Sequence, residues 1–378
     1  MAIYDYGVGR TYATPQAAFD ACQVANESGG AAVPFIETNY VRGYGDAVFP
    51  AAAVGEPVLR LVHSATGRGV EPTRAFPLVI DGNGTDEITL EDTEGVGAIV
   101  GGKSDGTVLT SFVRIEVDVR SAASHTIIVN PAAAGGQECE DWTVNGDMDA
   151  ALAAIVVGGL RNLRVGGKLT AGTNGCIYND GGDGIYGIFK GVLLLANSVL
   201  RAAGSAVNIY FCNLLIEMFH NSAETVGDIL TLTDEASDFI ALTACNNIFD
   251  SDGKFVTIDA DLHVPYSDGN CFNLGGALAD LNGTAIADLA AWRTETGQDP
   301  HSIEADPLFS DTSLQIPTTS PCVQQGRAIP NAGVEGTERS LTLDQGAYQV
   351  TDPASVKATY SGGRLRIRVD GGAPVDGL

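Results

Sequence analysis

The chain has 378 residues, with 21 basic and 47 acidic side chains and a formal net charge of −26. Such a charge repels phosphate backbones, anionic membrane surfaces and polyuronates, which excludes nucleic acid as an expected partner. Hydrophobic residues make up 44% of the chain, too many for disorder, and its 47 glycines follow no three-residue period, which excludes collagen.

The opening "MAIYDYGVGRTYATPQ" lacks a basic region followed by an apolar stretch, and no run of about 18 apolar residues occurs anywhere. The expectation is synthesis in a cytoplasm without a signal peptide, and no membrane insertion. Next, "TPQAAFDACQVANESGG" reads as a short amphipathic helix. Thr14 can cap it, Pro15 suits its first position and the Gly29–Gly30 pair ends it. Ala18, Cys22 and Ala25 fall on one face, with Phe19 beside them.

From Val33 helical periodicity gives way to short β-prone runs broken by Gly, Asn and Asp, such as "PVLRLVHS", "SFVRIEVDVRS", "KGVLLLANSVLRA" and "FIALTACNNIFDS". Between residues 112 and 265 they recur at about 20–30 residues, and Asn145-Gly146 is the main hairpin-like dipeptide. Several runs are apolar at successive positions, as strands buried in a parallel stack are. The fold class this predicts is all-β: a right-handed parallel β-helix, with the N-terminal helix capping its open end. An antiparallel sandwich is the alternative. The expected organisation is a capping segment over residues 1–32, a β-helix over 33–350 with closing coils at 289–349, and a β-hairpin or docking extension over 351–378.

Seven cysteines at wide spacing, with no C-x-x-C, read as buried thiols rather than a disulfide framework or zinc site. Three places hold candidate chemistry. In "GQDPHSIEADPLF", His301 lies near Asp299, Glu304 and Asp306 and can be a general base or a turn residue. In "CIYNDGGDGIYG", Asn179, Asp180 and Asp183 can form a carboxylate or weak cation site, or bond their local backbone. "DGNGTDE", from Asp81 to Glu87, spaces oxygen side chains as some calcium loops do but lacks the full EF-hand pattern, so a solvated turn is expected. No G-x-S-x-G, Walker A or H-E-x-x-H motif is present. The reading therefore assigns no catalytic, cofactor or metal residues. At the far end, "RLRIRVDGGAPV" alternates Arg364, Arg366 and Arg368 with Leu365, Ile367 and Val369, a strand with one basic face suited to docking an acidic partner surface; "VTDPASVKATYSGG" supplies its partner strand and turn.

From Leu289 onward, "DLAAWRTETGQDPHSIEADPLF", "LQIPTTSPCVQQG" and "GTERSLTLDQGAYQ" resemble the closing coils of right-handed β-helix proteins of the pectin-lyase-like superfamily, over roughly a sixth of the chain. The segments "CNNIFDS" and "SDGNCFNLGG" resemble preceding coils. "GVGRTYATPQAAFDACQ" is similar to capping segments of β-helix proteins from secreted bacterial proteins and tailed-phage virions. The superfamily's Gly-His-Gly and arginine-rich catalytic signatures do not carry over. The resemblance thus implies a non-enzymatic structural or adhesive protein: a virion fibre, spike or decoration subunit, homo-oligomeric and fitting a trimer, meeting other virion proteins or a surface glycan. A polysaccharide lyase or glycoside hydrolase, and a secreted bacterial surface protein, are the alternatives.

Overall fold

A computed structural model describes residues 3–28, 39–51, 53–61, 78–82, 88–93, 96–101, 113–129, 142–158, 160–179, 189–210, 212–233, 240–259, 261–323 and 325, together with the backbone of four short strands between residues 338 and 376. Its strands stack in parallel as successive coils, which makes the chain an all-β parallel β-helix. Three faces run along it. Face A starts at Ile3–Gly7 and Asn39–Tyr44 and ends at Leu262–Asp268; face B runs from Ala47–Pro50 to Cys271–Leu274 and Ile303–Glu304. Face C runs from Leu59–Leu61 to Ala279–Leu281. Faces A and B join into one sheet because two strands, Asn162–Ala171 and Phe189–Ala202, pass through the corner and pair on both sides of it. Asn145-Gly146 makes no hairpin. It turns the chain from face A to face B, and a side-chain carbon on Gly146 would meet the Val117 carbonyl oxygen at 2.3 Å.

In-register pairing turns alternate residues into apolar columns. On face C, Leu59, Ile99, Ile127, Ile155, Ile177, Val207, Leu230, Val256 and Ala279 stack one over another, each 0% exposed. Face A adds a column through Ile80, Ile115, Val144, Val165, Leu195, Met218 and Ala244. Branched side chains fit this pleated surface, and burial of each contributes about 1.5–3 kcal/mol. Towards the last coils aromatic rings take over, with Phe249 on Phe255 at 4.7 Å and Phe255 edge-on to Trp292 at 5.9 Å.

The A–B corner cannot continue the strand ladder, so its backbone groups need other partners. Side chains supply them. Ser198 N–H donates to Asn221 Oδ1 (2.9 Å), Asn221 N–H to Asn247 Oδ1 (2.9 Å), and Asn247 N–H to Asn270 Oδ1 (3.0 Å). Each asparagine Nδ2 donates back to a carbonyl of the preceding coil, Leu195, Met218 or Ala244, at 2.8–2.9 Å. The residue before each ladder member, Asn197, His220, Asn246 or Gly269, has a positive φ of 54–68°, the left-handed conformation that Asn and Gly adopt most readily. One side chain thereby satisfies both a donor and an acceptor.

The N-terminal helix, α1 (Pro15–Ser28), follows a Thr14 cap whose Oγ1 accepts from Ala17 N–H at 3.2 Å. Ala18, Phe19 and Cys22 are buried against the first coils. Gln16 completes the cap: Oε1 accepts from Arg60 N–H at 2.7 Å and Nε2 donates to Arg60 O at 3.3 Å. An edge strand of face C is thus paired by a side chain instead of being left open. At the other end, Thr284–Ile286 pairs antiparallel on Ala279–Leu281.

Replacing Asn247 with alanine strands the Asn221 amides and the Met218 carbonyl in the interior, at about 1–3 kcal/mol for each unmet group. Urea unfolding is expected to show a loss of about 3 kcal/mol or more, against about 0.5 kcal/mol or less for the outward-facing Thr243→Ala in the same coil.

Candidate functional site

The segment from Gly297 to Phe309 terminates the corner ladder. Asp299, 0% exposed and at φ 59°, accepts from Asn270 Nδ2 (3.0 Å) and Ser302 Oγ (2.5 Å) on one oxygen and from Trp292 Nε1 (2.8 Å) on the other. Ser302 Oγ in turn accepts Asn270 N–H at 2.8 Å. Trp292 lies on α2 (Leu289–Thr296), which is capped by Asp288 and ends at Gly297 in the left-handed conformation. Arg293 ties the helix to the turn through the carbonyls of Asp299 and Ser302. Asp299 is fully engaged by these donors and offers nothing to a substrate.

His301 pairs with neither Asp299 nor Asp306. Its backbone N–H donates to Asp268 Oδ1 (2.8 Å) and its Nδ1 meets Asp268 Oδ2 (2.7 Å), so Asp268 of the preceding coil holds both the backbone and the near side of the ring. Asp306 accepts from Leu308 N–H at 2.8 Å, a local turn. Glu304 accepts from Leu289 N–H at the start of α2.

Of the other sequence candidates, Asp81 forms a two-pronged ion pair with Arg42 at 2.8–2.9 Å, and residues 83–87 lie outside the described residues. Asn179 is buried in face C, while Asp180 and Asp183 lie outside the described residues. Arg364, Arg366 and Arg368 occupy alternate positions of a strand in a four-stranded antiparallel sheet, opposite Ser361, Thr359 and Lys357, with Asp376 opposite Arg366 on the other side. Lys357 therefore shares a sheet face with the three arginines.

A different cluster, on the outside of face B, combines cavity, charge and rigid support. Register stacks Glu91, Arg120, Asp149, Thr170, Arg201, Glu224, Asp250 and Asn273 in one outward column. Around its second half lies a groove of about 470 Å³, walled by Thr170, Arg201, Glu224, Asp250 and Asp252 and floored by Ala171, Ala202 and Ala203. Arg201 Nε donates to Glu224 Oε2 at 2.6 Å, and Asn273 Nδ2 donates to Asp250 Oδ1 at 2.9 Å. Burial raises the Asp250 pKa above the ordinary aspartate value, with Glu224, Asp306 and Asp252 adding to the rise and the Asn273 hydrogen bond opposing it. The groove therefore offers a guanidinium, an ionisable carboxyl that is reluctant to ionise, and the Thr170 hydroxyl, whereas the hydroxyls of Thr225 and Ser251 donate to the Gly227 carbonyl. Among the described residues no cluster of His, Cys, Asp and Glu could hold a metal ion, and no helix is long and apolar enough to cross a membrane.

Reasoning from local sequence passes over this site, yet it leaves a trace. "RAAG", "ETVG", "DSDG" and "NLGG" each place a groove-side residue three positions before a glycine. Those glycines, Gly204, Gly227, Gly253 and Gly276, stack so closely at the B–C corner that a side-chain carbon on Gly227 would sit 2.9 Å from the Gly204 backbone. The corner glycines index the column.

A carboxyl whose pKa is raised on folding favours the folded state below its unfolded value and loses that contribution as pH rises through its folded value. Asp250→Asn is therefore expected to raise the urea midpoint at neutral pH and to leave it unchanged near about pH 3, below the ordinary aspartate range. Paired melts at the two pH values check this. No family model, curated protein or solved structure matches the chain.

Proposed function

We propose that the chain is a structural and adhesive β-helix protein, a fibre, spike or decoration subunit of a tailed-phage virion, whose face-B groove holds a neutral surface glycan. The groove carries the reading. Its walls span four coils, about 14 Å at the spacing of neighbouring strands, enough for a short oligosaccharide. Carboxylates, a guanidinium and the Thr170 hydroxyl on a backbone fixed by inter-coil hydrogen bonds suit a ligand made of hydroxyl groups, both donors and acceptors. The net charge of −26 turns away polyanionic glycans. The virion setting is supported by the likeness of the capping segment to those of β-helix proteins from tailed-phage virions, a likeness it shares with secreted bacterial proteins. In such an assembly Arg364, Arg366 and Arg368 dock the extension on an acidic surface of a neighbouring subunit, in an arrangement that fits a trimer.

A hydrolytic reading is favoured by one observation, the hard-to-ionise Asp250 stacked directly on Glu224, since glycoside hydrolysis uses one protonated and one ionised carboxyl. A panel of neutral and anionic glycans separates the two. The proposal expects retention of neutral oligosaccharides without released sugar, weakened at least about tenfold, or about 1.4 kcal/mol, by Arg201→Ala. Arg114→Ala, on face A, is expected to leave retention unchanged. Release of reducing sugar that Asp250→Asn abolishes establishes the hydrolase instead, and no retention of any glycan overturns the adhesive role. Absence of the protein from purified particles overturns the virion setting.

A further inference from the structure

Residues 305–323 form no helix or strand. Among the described residues, the backbone N–H groups of Ser310, Leu314, Ser320 and Val323 all donate to carbonyls of the same segment. Ala305 N–H, bonded to Phe272 O at 3.0 Å, is the last to reach the coil. What then holds residues 306–323 down is a small apolar cluster: Ile248 and Cys271 from face B, Ile316 and Cys322 from the segment, with Phe309 and Val323 at its margin. Both cysteines are free and 0% exposed. The Cys271 thiol donates to Ala305 O at 3.3 Å, beside Cys322 in the same buried cluster. Two buried thiols thus lie together where residues 306–323 pack on the last coil.

We propose that Cys271 and Cys322 are an oxidative modification site, forming a disulfide that locks the closing segment, residues 306–323, onto the last coil. The oxidant is a low-molecular-weight disulfide of the glutathione type. When the segment opens, the Cys322 thiolate attacks it, forming a mixed disulfide and releasing one small thiol. On closure the Cys271 thiolate displaces the second small thiol. Two thiols lose two protons and two electrons to make one S–S bond, and the oxidant is reduced to two thiols. Burial of both sulfurs in the closed state makes local opening the gate. Cys22 and Cys176 are buried in the main core, and Cys245 is buried outside the Cys271–Cys322 cluster.

The test uses the full chain, purified reduced and then incubated with oxidised glutathione. Intact mass is expected to fall by about 2 Da. Peptide mapping after denaturing alkylation is expected to link the Cys271 and Cys322 peptides, and dithiothreitol to reverse it. Proteolysis between residues 306 and 323 is expected to slow at least about tenfold on oxidation, because cleavage follows the open population. Neither change is expected in Cys322→Ser or Cys322→Ala, two variants that guard against one of them misfolding. Full alkylation of both cysteines after oxidation, a bond from either one to another cysteine, or a glutathione adduct that never resolves to the internal bond would each overturn the proposal.

Discussion

The structure depends on how one corner is satisfied. A parallel β-helix must bend its chain between faces, and each bend takes backbone amides out of the strand ladder. Each one left unmet in the interior would cost about 1–3 kcal/mol, as much as burying one aliphatic side chain returns. Here the asparagines at 221, 247 and 270 answer that cost, each taking a backbone amide of the preceding coil on its Oδ1 and giving its Nδ2 hydrogen to a carbonyl there. Because each member bonds the next, a shift in one coil breaks bonds in its neighbours. Ser198 begins the series and Asp299 and Ser302 end it.

That constraint also makes a surface site possible. With the corner fixed, every outward residue of face B has a set height and lateral position, so charges distant in sequence become a column. Arg201, Glu224 and Asp250 meet in this way, and the corner glycines beside them bring successive coils close enough to floor a groove with alanines. The same regularity stops at Glu304. Past it, apolar contact between two thiols and two isoleucines takes the place of the ladder.

How much of this was legible follows from what is local. The capping helix was readable because Thr14, Pro15 and the Ala18–Phe19–Cys22 face act within a few residues. The coils were readable from apolar runs recurring at a loose period. "GQDPHSIEADPLF" pointed to the closing coils, but its inner workings were not open to sequence: Asp299 is set by a tryptophan seven positions back and an asparagine twenty-nine back. The partner of His301 lies thirty-three residues away, on the preceding coil. The groove column and the cysteine pair share that obstacle, since loops of unequal length between coils hide the register. A rule was nonetheless present in "ANSV", "FHNS", "CNNI" and "DGNC": a residue able to take positive φ, then Ser or Asn, then a strand.

The most direct measurement is native-state hydrogen exchange at the backbone amides of Asn221 and Asn247, which donate to side chains across the corner rather than to other backbone. If the ladder holds the coils in register, these amides exchange only through global unfolding, with the same free energy as the face-C amides of Ile209 and Leu232. Exchange at the rate of a solvated turn, while the flanking strands stay protected, would contradict the account.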